Sequence, residues 1–476
     1  MKLHSVVHRR FADDRGNTYL YVAPSAAILG LDALADELLQ AFSGSGRDVE
    51  QFLAGRADQP DARDALMGLV QLGVLRPVGE VVPPAAPLPP MPFPLATLVL
   101  NVTNKCNLSC TYCYEYGEDQ LKPALAAAEG RPMMSEQTAR QSIDFLLRSA
   151  GDRPQAAITF FGGETLLNFA AIRAATEYAT EQARLHRKRI HFSLTTNATL
   201  LTDEVVAFLT GHRFGVTISI DGARGEQDRH RRFKSGTGSF DVVLPRIGAF
   251  LAANKAVRGR AVGARVTLTR DAAPVLETYR YLVDELGFDE VGFAPVTSAP
   301  GRDYALGPEA FDVLLRQFQT LADDFVTAAL AGRPHGFANL NDLLRELYLG
   351  TNKAHPCGAG LGLLGVSTEG ELGLCHRFVE SKDHALGDVV HGVNESKRSD
   401  FLTAAHVAQK TDCASCFARP VCAGGCYHEA QVRYGDATLA NLHYCDWIRG
   451  WTDMGLAAYA RIMAGNPGFF ARYDSA

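Results

Sequence analysis

Through the middle of the chain, dense apolar runs alternate with segments whose apolar residues recur every three or four positions. The runs at 96–102, 157–161, 190–195, 214–220, 262–268 and 291–296 have the length and the Val, Ile, Leu and Phe content of buried strands. Segments 135–150, 170–184 and 239–253 read as amphipathic helices, the first with Ser135 placed as its N-cap. This alternation predicts an α/β protein with parallel strands and helices packed outside them. Six units suit an open, partial (β/α)6 barrel of the TIM-like kind better than a closed eight-fold one.

The flanks follow other patterns. Residues 1–80 predict a small unit of their own: strands at 5–11, 18–22 and 74–78, and helices at 26–42, 49–53 and 62–72. The helix at 26–42 rests on the spacing of Leu29, Leu31, Leu34, Leu38 and Leu39. Residues 81–94 hold seven prolines from Pro83 to Pro94 and read as a semi-rigid linker. The barrel then occupies 95–300, a helical bridge 301–350 (helices at 308–330 and 340–349), and a cysteine-rich region 351–476 that ends in a helix at 447–464.

Composition narrows the function classes. A net charge of −6 argues against a general nucleic-acid binder. The chain has no run of about 18 apolar residues that would span a membrane. Arg9, Arg10, Asp13 and Asp14 interrupt any signal-peptide core, so a cytoplasmic protein is expected. Its ten cysteines cluster: three lie at 106–113 and seven after residue 356. In a cytoplasmic chain such clustering points to metal, not disulfides.

Cys106, Cys110 and Cys113 stand at Cys-x3-Cys-x2-Cys spacing on the loop after the first barrel strand, where barrels place their chemistry. Three close thiolates hold three irons of a 4Fe–4S cube and leave the fourth iron open. Structural zinc, the alternative, normally takes four ligands, and no fourth Cys or His is near in sequence. The motif, with Tyr112 before the third cysteine, resembles the signature of the radical S-adenosylmethionine (SAM) enzymes. That resemblance implies a fourth iron chelated by the methionine moiety of SAM, and one-electron cleavage to a 5′-deoxyadenosyl radical. Gly162-Gly163-Glu164 resembles the family's Gly-Gly-Glu motif, while Thr195-Thr196-Asn197 and Ser219-Ile220-Asp221 end the next two strands and Arg231 follows. By resemblance the SAM-binding candidates are Tyr112, Gly162, Gly163, Glu164, Thr195, Asn197, Ser219 and Arg231. Ser219 and Arg231 are expected to hold the ribose and carboxylate.

The seven later cysteines resemble the SPASM extension of peptide-modifying radical enzymes, which binds two auxiliary 4Fe–4S clusters. The resemblance implies that Cys413, Cys416, Cys422 and Cys445 complete auxiliary cluster II. Cys357, Cys375 and Cys426 would hold auxiliary cluster I, with an open iron or a non-cysteine ligand such as His355. The expected cofactors are therefore three 4Fe–4S clusters and SAM. Residues 1–80 resemble the winged-helix-like peptide-recognition domain fused to many maturases of ribosomally made peptides.

Cys375-His376-Arg377-Phe378-Val379 resembles thioether-forming maturases. In anaerobic sulfatase-maturating enzymes an Asp commonly follows the equivalent cysteine and acts as a base; here His376 takes that place, as a proton acceptor or as a structural histidine beside a cluster. The run 101–120, the N-terminal unit and the ten-cysteine layout are together similar to the maturases of quinohemoprotein amine dehydrogenase. That implies a small Cys- and Asp/Glu-containing protein substrate, the dehydrogenase's γ subunit, and an oxidoreductase-type reaction served by a reducing electron donor. The product would be an intrapeptide thioether from cysteine sulfur to an Asp or Glu methylene carbon. The alternatives are sulfatase-type formylglycine formation, carbon–carbon cross-linking, and a non-catalytic electron-transfer protein.

Overall fold

A computed structural model of the chain describes residues 1–56, 59, 61–80, 85–114, 133–299 and 301–474. Residues 81–84 of the proline-rich stretch and 115–120 beyond the first cysteine motif lie outside the described residues.

The N-terminal unit contains β1 (Lys2–Ser5), β2 (His8–Ala12), β3 (Thr18–Val22), β4 (Ala27–Leu31), α1 (Ala33–Ala41), β5 (Arg47–Asp48), α2 (Val49–Ala54), α3 (Asp61–Gln71) and β6 (Leu75–Pro77). It forms two antiparallel sheets, β2–β3–β4 and β5–β1–β6. Leu3, Leu20, Val22, Leu38, Leu39, Phe42, Leu66 and Leu75 make its own core. The helix expected over 26–42 is divided. Ala26 takes a left-handed turn (φ 56°), residues 27–31 pair with β3, and Asp32 then caps α1 by accepting from Ala35 N–H at 2.7 Å. Leu29 and Leu31 are two apart, which is strand spacing; only Leu34 and Leu38 onward belong to the helix. The strand expected over 5–11 is likewise two strands in different sheets.

Each expected barrel strand is present. The parallel run is β7 (Thr97–Thr103), β8 (Gln155–Gly162), β9 (Arg189–Thr196), β10 (Gly215–Ser219), β11 (Val262–Leu268) and β12 (Glu290–Pro295). Between them run α4 (Glu136–Ser149), α5 (Phe169–Leu185), α6 (Asp203–Gly211), α7 (Arg224–His230), α8 (Phe240–Ala256) and α9 (Val275–Arg280). Ser135 caps α4 as expected, accepting from Thr138 N–H at 3.0 Å. Alternate strand residues such as Ile158, Phe160, Leu194 and Ile218 are buried in the shared core. Their neighbours Phe161, Thr195 and Ser219 are less buried and line a cavity. The sheet remains open and continues past β7: β13 (Leu363–Val366) pairs parallel with it, followed by β14 (Glu371–Gly373), β15 (Gly387–Asp388) and β16 (Gly392–Val393). The cysteine-rich segment thus contributes a strand to the barrel sheet, which carries the Cys375 loop to the barrel mouth.

Helices α10 (Pro308–Leu330) and α11 (Ala338–Tyr348) pack against the terminal α15 (Cys445–Gly465), with α12 (Glu395–Ala405), α13 (Arg419–Cys422) and α14 (Tyr427–Tyr434) between. Among the described residues, no helix is long and apolar enough to cross a membrane.

The described part of the proline-rich stretch is tied down. Arg398, 1% exposed, donates from Nε to Gly360 O at 2.6 Å and from Nη2 to Phe93 O at 3.4 Å and to Leu361 O, and it pairs with Glu395. His406 bonds Ala86 O at 2.9 Å. Replacing Arg398 with Met strips these buried carbonyls of their donor, a loss of roughly 2–3 kcal/mol. The expected readout is a thermal unfolding midpoint several degrees lower; an unchanged midpoint contradicts this role for Arg398.

Candidate active site

A cavity of about 490 Å³ opens at the C-terminal ends of the barrel strands, a volume suited to a small molecule or cofactor. Cys106, Cys110, Cys113, Tyr112, Gly162, Gly163, Glu164, Thr195, Asn197, Ser219, Arg231 and His376 all line it. They reach it from β7, β8, β9, β10, the segment after α7, and the loop after β14.

Backbone hydrogen bonds set the cysteine loop in place. Gly163 N–H donates to Thr103 O at 3.0 Å and Glu164 N–H to Lys105 O at 2.9 Å; Ser109 N–H donates to Arg232 O at 2.7 Å. Gly162 has φ +147°, and a Cβ there would overlap the Thr103 carbonyl oxygen. The site therefore requires glycine at 162.

Glu164 is 1% exposed. Its Oε1 accepts from Leu166 N–H at 3.1 Å and Thr196 Oγ1 at 2.7 Å, and its Oε2 from Asn197 N–H at 2.7 Å. Burial raises its pKa while these donors pull it down. Three bonds leave a carboxylate room for one more donor, which suits an ammonium. Asn197 Nδ2 donates to Asn107 Oδ1 at 2.9 Å and lies 4.0 Å from Cys106 Sγ.

A buried triad closes the opposite wall. Tyr112 OH donates to Asp221 Oδ2 and accepts from Arg231 Nη1 at 3.0 Å; Asp221 Oδ1 accepts from Thr267 N–H at 3.1 Å. Burial pushes the Asp221 carboxyl up, and Arg231 pulls it down. Arg231 Nε is buried with no hydrogen-bond partner, a spare donor for a carboxylate.

Burial pushes Cys106 up to about 11 and also raises Cys110, so these sulfurs stay protonated near neutral pH unless a metal coordinates them. Cys413, Cys416, Cys422 and Cys445 line one small cavity with Arg449. Cys375 is pushed up to about 12, chiefly by burial and then by Cys426 and Cys357 nearby. Cys106, Cys110 and Cys113 thus share one cavity, Cys413, Cys416, Cys422 and Cys445 another, and Cys375 stands near Cys357 and Cys426. No group of three or more His, Cys, Asp or Glu among the described residues is gathered tightly enough for a single metal ion. His355 is buried, with Nδ1 2.8 Å from Tyr427 OH beside Cys426 and Nε2 without a partner; burial lowers its pKa to about 4. The His376 ring packs 4.4 Å from that of Phe161.

Sequence reasoning passed over three cavity-side residues: Asp221, Arg265 and Arg377. In the sequence Asp221 and Arg377 merely stand beside Ser219 and His376, with no signal of their own. Arg265 carried a signal, a cation inside the otherwise uncharged strand run 262–268.

Residues 100–267 match the family model for the radical SAM superfamily. This stretch is a radical SAM domain. The chain is 27% identical over 387 residues to a serine-type anaerobic sulfatase-maturating enzyme of Bacteroides thetaiotaomicron, covering 75% of this chain and 88% of the relative. It is 24% identical over 372 residues to a cysteine-type anaerobic sulfatase-maturating enzyme of Clostridium perfringens, covering 74% and 94%. Among solved structures, anSMEcpe with bound AdoMet superposes at TM-score 0.62 and 21% identity, over 80% of this chain and 100% of that one. Streptococcus suis SuiB bound to its precursor peptide SuiA superposes at TM-score 0.51 and 15% identity, over 94% and 100%. These last two likenesses are of fold.

Within this radical SAM domain, Gly162→Ala is expected to displace the Gly-Gly-Glu turn from the cysteine loop and to lower uncoupled SAM cleavage about 100-fold. Cleavage at the wild-type rate, measured as 5′-deoxyadenosine after chemical reduction, contradicts the close approach at Gly162.

Proposed function

We propose that the chain is a radical SAM peptide maturase that joins a cysteine sulfur to an Asp or Glu methylene carbon within one substrate, the small γ subunit of quinohemoprotein amine dehydrogenase. The observation that carries this reading is a single cavity lined both by Cys106, Cys110 and Cys113 and by His376-Arg377, next to Cys375. A radical source and an auxiliary cysteine set then face the same substrate.

In this reading Cys106, Cys110 and Cys113 hold the SAM-binding 4Fe–4S cluster. Cys357, Cys375 and Cys426 hold auxiliary cluster I, and Cys413, Cys416, Cys422 and Cys445 hold auxiliary cluster II. When bound, SAM and the clusters supply one-electron cleavage, the radical that removes the methylene hydrogen, and the sink for the electron left when carbon and sulfur join. Glu164 accepts the cofactor's ammonium, and Ser219 and Arg231 hold its ribose and carboxylate. The Tyr112–Asp221 hydrogen bond keeps Arg231 aimed at that end. His355 Nε2 is the spare nitrogen closest in sequence to Cys357 and serves auxiliary cluster I as a ligand. His376 takes the thiol proton. The N-terminal unit engages the peptide; the fold likeness to SuiB, solved with its precursor peptide, supports this because 94% coverage leaves out fewer residues than that unit contains.

Sulfatase-type formylglycine formation is the second reading, favoured by the sulfatase-maturating relatives over three quarters of the chain. Mass spectrometry separates the two. After anaerobic incubation with SAM and reductant, the γ-subunit peptide is expected to lose two hydrogens per cross-link and to resist thiol alkylation. An aldehyde trapped by a hydrazine reagent establishes the second reading, and an unmodified peptide defeats both.

A further inference from the structure

Arg265 is the cavity's uncompensated charge. It stands on β11, where Ala264, Val266 and Leu268 turn into the core and Arg265 and Thr267 line the cavity. Its neighbours across the sheet are Ser219 on β10 and Gly292 on β12. The side chain lies over Gly292: a Cβ there would sit 3.2 Å from Arg265 Nη1 and 3.8 Å from Cδ. The glycine leaves the lane along which the guanidinium reaches the lumen.

No hydrogen bond or ion pair holds that guanidinium among the described residues. Burial lowers its pKa and the charge of Arg377 lowers it further, with Tyr114 and Asp342 opposing from beyond ion-pair distance. An arginine stays protonated through such shifts. Arg377 is served differently: its Nη1 donates to Thr297 Oγ1 at 3.2 Å, and its guanidinium stacks 4.1 Å from the Tyr114 ring centroid. Thr297 in turn donates to Glu429 at 2.7 Å. Three cations, Arg231, Arg265 and Arg377, thus face one cavity, and among the described residues Arg265 has all its donors to spare. That guanidinium is exposed to the lumen, and its parallel N–H donors match an anion of planar, two-oxygen geometry.

We infer that Arg265 grips the side-chain carboxylate of the substrate's acidic residue, and so fixes which methylene faces the radical source. This rests on the reading of the cavity as a peptide-modifying site. Arg265 is then a positioning residue that selects Asp or Glu over Asn or Gln. The competing anion is the carboxylate of SAM, for which Arg231 already offers its free Nε.

The test titrates the reconstituted full-length enzyme, with SAM present, with two matched γ-subunit peptides carrying Glu or Gln at the cross-linking position. Wild type is expected to prefer Glu by at least about tenfold, the worth of a charge-assisted hydrogen bond pair. Arg265→Gln is expected to bring the Glu:Gln ratio near one, and Arg265→Lys to restore part of it, each at wild-type iron content. A ratio preserved in Arg265→Gln overturns the inference, as does a wild type that does not distinguish the peptides. SAM affinity is measured in parallel: if it falls while the ratio survives, Arg265 serves the cofactor and the inference fails. A ratio lost in Arg265→Gln while wild type makes no thioether upholds the inference and defeats only the proposed reaction.

Discussion

The cysteine loop owes its position to a backbone seam. Thr103 and Lys105 accept hydrogen bonds from the Gly163 and Glu164 amides, and Ser109 donates to Arg232, so the loop after β7 is fastened to those after β8 and α7. Such bonds survive side-chain change but not a change of spacing, and Gly162 permits them by carrying no Cβ. The rest of the cavity follows from that seam. Glu164 can meet Asn197 and Thr196, and Asn197 can approach Cys106, only because the three strand ends are drawn together.

The polar chemistry above the sheet is arranged by charge. Thiols crowd three places, most of them half-buried, and burial drives Cys375, Cys422 and Cys426 toward the neutral form. Metal binding there would stabilise the thiolates and so couple cluster assembly to the stability of the cysteine-rich region. On the cavity side the polarity is opposite: Arg231, Arg265 and Arg377 surround the lumen. Arg231 is balanced by Asp221 and Tyr112, and Arg377 by Thr297, Tyr114 and nearby Glu429. The charge left over belongs to Arg265.

Much of the barrel was legible in the sequence because its signals are local. An apolar run long enough for one strand, followed by a motif at its end, needs no knowledge of the partner strand. That is why Cys106, Glu164, Asn197, Ser219 and Arg231 stand out as candidates in the sequence, and the structure brings them to one cavity. What depends on distant pairing was not legible. The division of 26–42 turns on β4 finding β3, while its leucines mimic helical spacing. The pairing of β13 with β7 joins residues more than 250 apart. Asp221 and Arg265 acquire meaning only when β10 and β11 lie side by side under one cavity. The proline-rich stretch reads as a semi-rigid linker, and its anchorage was not legible because Arg398, the side chain that binds it, lies about 300 residues away.

In the proposed reaction the cavity presents an acidic residue's methylene to the radical source. Deuterium transfer tests this most directly. A γ-subunit peptide deuterated at the Asp or Glu side-chain methylene, incubated anaerobically with the reduced enzyme and SAM, should deliver deuterium to 5′-deoxyadenosine. Deuterium arriving only from a peptide labelled at the cysteine β-carbon would contradict the account.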